Sequence, residues 1–215
     1  MFGSKDEKKP SQASFLYEKD RLALTSLVLE MGTKAGEAFR DAVRAIETRD
    51  NDLANRVLEG DEVIDELEVD AELECLRSIG MRQPLGEDLR FAFSVLKIVT
   101  DLERIGDEAS NIAERALWLN RRPLLKPLID IPRMTRIASA MLSHALESFE
   151  RGDASLAEGV FRADDEVDAL YRAVFDELLL IMAGPAQGNP DAILSATALL
   201  SVARHLERIG DHATN

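Results

Sequence analysis

The sequence has one cysteine, few aromatic residues and little glycine or proline. A single cysteine, Cys75, excludes an intramolecular disulfide, and its apolar neighbours Leu73, Leu76 and Ile79 predict a place in a helix core. Aromatic residues make up 5% of the chain, with 7 prolines and 12 glycines in 215 residues. Together with the apolar periodicity described below, this composition indicates an all-α protein.

The sequence also lacks a long apolar run and an excess of basic residues. No stretch of about 18 apolar residues and no charged start followed by an apolar segment occurs, so we expect a cytoplasmic protein without a signal peptide or membrane span. The net charge of −14 argues against binding to nucleic acid or to an anionic membrane surface. Cations and basic partners fit this charge better. Hydrophobic residues at 46% are sufficient for a globular core.

Six amphipathic segments are separated by short breaks. Apolar residues at steps of three and four predict long helices from Phe15 to about Thr48, from Leu53 to a stop at Gly80, and from about Glu87 to Leu119. Three more follow: one closed by Gly152, one capped by Asp153 and ended by Gly184, and one opened by Asn189. The predicted fold is all-α, with a flexible polar tail (1–14), a three-helix bundle (15–122), a linker (123–132) and a second bundle (133–215).

The two predicted bundles share a motif, which indicates an internal duplication. Leu102-Glu103-Arg104-Ile105-Gly106-Asp107 returns as Leu206-Glu207-Arg208-Ile209-Gly210-Asp211, and eight of eleven residues agree between 101–111 and 205–215. An interval of about a hundred residues suits two copies of a small helical bundle.

Each half contains two acidic pairs with a spacing of four residues, which places both carboxylates of a pair on one helix face. Such pairs repel, and two of them on neighbouring helices would form a negative pocket that a cation could neutralise. Carboxylates suit magnesium, manganese, calcium and iron, and zinc also accepts them. The candidate ligands are Asp61, Asp65, Glu103 and Asp107 in the first half and Asp164, Asp168, Glu207 and Asp211 in the second.

Two further features bear on these pairs. Gly106 and Gly210 precede the second carboxylate of each motif, and a missing side chain there would admit a metal with its waters or the backbone of a neighbouring helix. Alternatively, the pairs are solvated faces, with Arg104 bound to Asp107 and Arg208 bound to Asp211 as local ion pairs.

The three histidines are weaker candidates. His144 lies among apolar residues, which predicts a core or boundary position, whereas His205 and His212 flank the second motif. At the matching positions of the first copy stand Asp101 and Glu108. An accessory metal-binding role for these two histidines is therefore one possibility.

The doubled motif, with an Asp-x-x-x-Asp on the middle helix of each half, resembles the PhoU family of phosphate-signalling proteins. Arg82-Gln83-Pro84 before the third helix agrees with this resemblance. The resemblance implies a cytoplasmic, homodimeric, non-enzymatic regulator that reaches the membrane only through its partners. It further implies that the eight carboxylates hold multinuclear metal clusters, with iron or zinc favoured and manganese or magnesium possible. When phosphate is plentiful, such a protein would negatively regulate the phosphate ABC transporter, through its ATPase, and a membrane sensor histidine kinase.

Two departures from the family pattern are visible. His205 stands where the first copy has the acid Asp101, so the two sites could differ in metal or occupancy. Family members also continue the last helix beyond the position of Asn215, and in a trimmed chain the second motif would lie in a frayed end.

Three other functions were considered. A carboxylate-bridged di-metal enzyme would use Glu-x-x-His pairs, but Met141, Val202 and Ile209 stand three positions before the histidines. A PhoU-like domain that regulates another transporter, such as a sodium-phosphate symporter or a potassium channel, stays open. So does a metal-free helical bundle.

Overall fold

The computed structural model describes residues 12–184 and 186–215, and these ranges contain α-helices and no β-strand. Six helices follow one another along the described chain: α1 (Gln12–Thr48), α2 (Asn51–Arg82), α3 (Glu87–Leu119), α4 (Asp130–Arg151), α5 (Ala154–Ala183) and α6 (Pro190–Thr214). The predicted all-α class is confirmed. None of the described helices is long and apolar enough to cross a membrane.

The helices form two three-helix bundles in tandem, as the duplication predicts. α1, α2 and α3 pack on one another, and so do α4, α5 and α6. The bundles meet through α3 against α6 and through α1 against α4. Phe39 and Ile105 are fully buried in the first bundle and Leu178 and Leu206 in the second. Burying a side chain of this size stabilises the fold by about 1.5–3 kcal/mol.

Short polar signals set most helix ends where the sequence predicts them. The side chains of Asp50 and Asp153 accept hydrogen bonds from the backbone N–H of Leu53 and Ser155, each at 2.9 Å, and so cap α2 and α5. Gly152 ends α4 with φ of +63°, in the left-handed region that glycine enters without strain.

Two predicted boundaries are wrong. Gly80 does not end α2, which continues to Arg82 and leaves Gln83 as the left-handed cap. The Arg82 side chain binds the buried carboxylate of Asp20 on α1 at 3.1 Å, and this contact holds the last turn. The predicted linker 123–132 is also too long, because α4 already begins at Asp130. Pro132 fits the first turn of α4, where a backbone N–H has no helical partner.

The predicted flexible tail 1–14 is tested only at its end. Gln12–Ser14 belong to α1, which therefore begins before the predicted Phe15. Residues 1–11 lie outside the described residues.

Three side-chain environments differ from the predictions. Cys75 is fully buried as expected, but its neighbours Leu73 and Leu76 are 58% and 61% exposed. They lie on the opposite face of α2 from Cys75. His144 is exposed on α4, so its predicted core or boundary position is wrong.

Candidate metal centres

The first acidic site lies between α2 and α3, which run antiparallel. Asp61 and Asp65 project from α2 and Glu103 and Asp107 from α3. A Cβ atom on Gly106 would lie 3.0 Å from Ile64 Cδ1 and 3.3 Å from Asp61 Oδ1. The missing side chain at Gly106 is therefore needed for the close approach of α2, and it lets the Asp61 carboxylate rest against α3. Side chains of α2 fill the space beside Gly106. The sequence had suggested a metal with its waters or the backbone of a neighbouring helix, and neither is needed to explain the glycine.

The second site repeats this arrangement between α5 and α6. A Cβ atom on Gly210 would lie 3.1 Å from Asp164 Oδ1, the repeat equivalent of Asp61. In both halves the motif glycine thus makes room for the first aspartate of the facing helix.

Burial and mutual repulsion make the first site electrostatically unfavourable. Burial raises the pKa of Asp61, the neighbouring Ser110 hydroxyl opposes the rise, and the charges of Asp65 and Asp107 add to it. Burial and the charge of Asp107 raise the pKa of Glu103 to about 7 against the opposing charge of Arg104. Asp61 and Glu103 each interact with both Asp65 and Asp107, so the structure brings the four predicted carboxylates together across the two helices.

Glu68 joins this cluster, although the sequence did not single it out. Burial raises the pKa of Glu68, the neighbouring Thr100 hydroxyl opposes the rise, and the charges of Glu72 and Asp65 add to it. Glu68 lies about one helical turn beyond Asp65, so the spacing of acids along α2 contained this signal.

The second site shows the same pattern of pKa shifts. Burial raises the pKa of Asp164, followed by the charges of Asp211 and Asp168. Burial and Asp211 also raise the pKa of Glu207, while Arg204 opposes the increase. The structure therefore brings the four carboxylates predicted for the second half together as well.

One glutamate oxygen in each site has no hydrogen-bond donor. Glu103 Oε2 and Glu207 Oε2 are both buried, and neither accepts a hydrogen bond from any described residue, although Arg104 Nε lies 3.3 Å from Glu103 Oε2 as an ion-pair partner. These two atoms occupy the same position in the two motifs. A buried carboxylate oxygen without a donor is costly, and either a proton or a cation would satisfy it. The donor set fits a hard metal ion, because every candidate ligand is a carboxylate.

Arginines neutralise part of each acidic cluster. Arg104 binds Asp107 at 3.0 Å, as predicted, while Arg172 binds Asp168 at 2.8 Å and Arg204 binds Glu207 at 3.2 Å. Within the described part of the chain, no three acidic, histidine or cysteine side chains already form a metal-binding group. A metal ion would have to compete with these arginines.

Arg208 does not bind Asp211, contrary to the prediction. It reaches from α6 to α3, where its Nη1 lies 2.7 Å from Glu108 Oε1, and His205 Nδ1 lies 2.5 Å from the other oxygen of the same carboxylate. Glu108 is 2% exposed. It was not among the predicted site residues, although its replacement by His212 in the second copy marked the position as unusual.

His212 and His205 both belong to this contact between the bundles. His212 Nδ1 lies 2.9 Å from Asp101 Oδ1, and the Asn215 amide donates to the same oxygen at 2.9 Å. Both histidines are thus engaged with acids of the other half, and the structure does not place them among the carboxylates of either acidic site.

Comparison with known proteins gives a consistent result. The family model described as PhoU domain matches residues 28–116 and again residues 131–215. The phosphate-specific transport system accessory protein PhoU homolog of Caulobacter vibrioides (strain NA1000 / CB15N) is 42% identical over 200 residues, which cover 93% of this chain and 85% of the relative. The homolog of Aquifex aeolicus (strain VF5) is 43% identical over 181 residues, or 84% of this chain and 80% of the relative.

Solved structures of the same name share the fold. PhoU from Pseudomonas aeruginosa superposes with a TM-score of 0.86 at 36% identity, over 93% of this chain and 94% of that structure. The phosphate transport system regulatory protein PhoU from Streptococcus pneumoniae gives a TM-score of 0.82 at 26% identity, over 93% and 92% of the two chains.

Proposed function

Because the chain belongs to the PhoU family, we propose that it regulates phosphate uptake and phosphate-starvation signalling through contacts with other proteins. The relatives are named as accessory or regulatory proteins of phosphate transport, and this family of regulators is not one of enzymes. The observation that carries the proposal is the match of the PhoU model to both halves of the chain.

The protein acts as a negative regulator through protein partners. The protein acts in the cytoplasm as a homodimer and lowers uptake when phosphate is plentiful. It contacts the ATPase of the phosphate ABC transporter and the membrane sensor histidine kinase, and it meets the membrane only through them. The net charge of −14 favours binding to basic protein surfaces and disfavours binding to nucleic acid.

We also propose that each acidic site binds metal, with iron or zinc favoured and manganese or magnesium as alternatives. The first site would use Asp61, Asp65, Glu103 and Asp107, and the second would use the four equivalent residues Asp164, Asp168, Glu207 and Asp211. The support is the convergence of four carboxylates in each half and the buried oxygens of Glu103 and Glu207 that accept no hydrogen bond, the Glu103 oxygen having only the ion pair with Arg104 at 3.3 Å. A bound ion would supply positive charge at these oxygens and so join the two helices of each site.

A complementation experiment tests the regulatory proposal. In a strain that lacks the native regulator, a reporter driven by a phosphate-starvation promoter is constitutively high in phosphate-rich medium. Expression of this chain should repress the reporter in that medium and leave it high under starvation. A reporter that ignores the chain in both media would contradict the proposal.

Metal analysis tests the sites separately. Replacing Glu103 and Asp107 by alanine should remove roughly half of the metal found in protein purified without a histidine tag. The matched control replaces Glu62 and Glu66, two exposed acids at the same spacing on α2, and should leave the metal content unchanged. Equal losses in both variants would show that the metal binds diffusely to acidic surface.

A di-metal enzyme and a regulator of another transporter find no support, whereas metal analysis decides between a metal-binding and a metal-free bundle. A di-metal enzyme disagrees with a family of regulatory proteins, and the relatives are named for phosphate-specific transport rather than for another transporter. Hydrolysis of phosphate esters by the purified protein, abolished in the Glu103 and Asp107 variant, would reverse this conclusion.

A further inference from the structure

The solvent face of α2 carries an apolar stripe that no described residue covers. Val69, Leu73 and Leu76 are 52%, 58% and 61% exposed. Steps of four and three residues place them on one side of the helix, over about 10 Å of its length. Ala71 and Cys75 fill the core from the opposite side, so the stripe contributes little to the packing of the bundle.

The apolar surface reaches α3. The Cys75 thiol contacts the backbone oxygen of Ala92 at 3.7 Å, which fixes the register of α2 against α3 at this level. The residues that follow these two, Leu76 on α2 and Phe93 on α3, are 61% and 56% exposed.

Acidic side chains border the stripe on both sides. A rotation of 100° per residue places Glu66 and Asp70 on one flank and Asp65 and Glu72 on the other, and all four are exposed. From Asp61 to Leu76 the chain has eight acids and no lysine or arginine. The next cations along α2, Arg77 and Arg82, are held by Asp20 at 3.0 and 3.1 Å.

We propose that this stripe docks an amphipathic helix of a partner protein, with aliphatic anchors at helical spacing and lysine or arginine on both sides of them. The inference rests on the proposed function, since a regulator that acts by contact needs a docking surface. Leucine and valine side chains supply the contact area, and the acidic flanks steer and orient a basic helix.

The second half of the chain keeps only one of the three stripe residues, Leu179 in place of Leu76, and so provides a matched substitution for the other two. Aligning Asp61 with Asp164 makes Arg172 and Asp176 of α5 the equivalents of Val69 and Leu73. The double variant Val69→Arg with Leu73→Asp therefore introduces residues that the same fold already holds at these positions. It adds one positive and one negative charge, so the net charge stays at −14.

The test uses a labelled amphipathic peptide of leucine and lysine, with a leucine and glutamate peptide as control, and follows fluorescence anisotropy at physiological salt. The wild-type chain should bind the basic peptide, and the double variant should bind it at least about tenfold more weakly. Equal affinity of the two proteins would overturn the proposal, because binding would then depend on charge alone. Should the double variant fail to fold by circular dichroism, Leu73→Ser is measured in its place and should show the same direction of change.

Two further measurements exclude other occupants. Light scattering after size exclusion should give the same oligomeric state for wild type and variant; a change of state would assign the stripe to a second copy of the chain. Sedimentation with phosphatidylcholine vesicles should recover neither protein, and recovery of the wild type alone would assign the stripe to a lipid surface. Either of these results would overturn the proposal.

The phosphate reporter separates this inference from the proposed function. A variant that loses the peptide but still represses the reporter fully would overturn the docking surface and leave the regulatory function standing. A wild-type chain that never represses the reporter would contradict the regulatory function, whereas the peptide affinities of wild type and variant would still decide whether the surface binds a basic helix.

Discussion

Replacing Glu103 by glutamine should stabilise the metal-free protein above neutral pH. The pKa of Glu103 rises from its usual value of 4.5 to about 7 in the fold, through burial and through the charge of Asp107. A carboxyl group shifted upwards weakens the fold once it ionises, so the loss of stability begins above about pH 4.5 and is complete above about pH 7. Glutamine keeps the shape of the side chain and removes the charge.

The size of the effect follows from the same shift. Raising a carboxyl pKa from 4.5 to about 7 corresponds to about 3 kcal/mol of free energy. The side chain is 17% exposed, and part of the repulsion is shared with Asp107 and relieved by Arg104. We therefore expect Glu103→Gln to raise the free energy of unfolding by about 1–2 kcal/mol at pH 8, with no gain at pH 4.

Urea unfolding, followed by circular dichroism in the presence of a chelator, measures this difference across the pH range. The control is Glu114→Gln on the same helix, where the side chain is 59% exposed and lies 3.8 Å from Arg115. A lower stability of Glu103→Gln at pH 8, or an equal gain in the control, would refute the reasoning. With added manganese the wild type should instead be more stable than Glu103→Gln, because the Glu103 carboxylate binds the metal and glutamine lacks that negative charge.

Three further predictions concern other residues. Gly106→Ala should lower the unfolding free energy by about 1 kcal/mol in the same urea assay, because its Cβ would lie 3.0 Å from Ile64 Cδ1. Gly159→Ala, whose Cβ would meet only open space, should raise the unfolding free energy by up to about 1 kcal/mol. Burial raises the pKa of Asp20, but hydrogen bonds from Arg77 and Arg82 lower it more, so the pKa lies below its usual value. Asp20→Asn should therefore cost about 1–3 kcal/mol at pH 7 and progressively less as the pH falls through the Asp20 pKa, as acid unfolding curves would show. Burial raises the pKa of the Cys75 thiol to about 11, so a disulfide reagent followed by absorbance should react with it only as the protein unfolds.

Signals that act within a helix were predictable from the sequence. α3 spans Glu87–Leu119 as expected, because breakers flank it on both sides, and Asp153 and Asn189 cap the helices that follow them. The acidic residues of both sites were found because each pair appears twice on equivalent helices.

Contacts between distant segments could not be predicted in the same way. Arg208 has Asp211 three residues away, yet it binds Glu108 on the other bundle, which only the crossing of α3 and α6 brings near. The end of α2 depends on Asp20, sixty-two residues before Arg82 in the sequence. On α2 itself, Ala71 and Cys75 form one apolar series and Val69 and Leu73 form another. Periodicity reveals both series, but the packing of α1 and α3 decides which one faces inward.

The contact between α3 and α6 shows what the duplication made possible. If two copies of the first half paired through the same crossing, Asp101 of each copy would face Glu108 of the other, and acid would oppose acid twice. In a symmetric pair a substitution appears on both sides at once. A tandem repeat is free of this constraint, and here the second copy carries His205 and His212 where the first carries acids, so the two contacts become attractive. The halves of this chain have thus become complementary to one another at this contact.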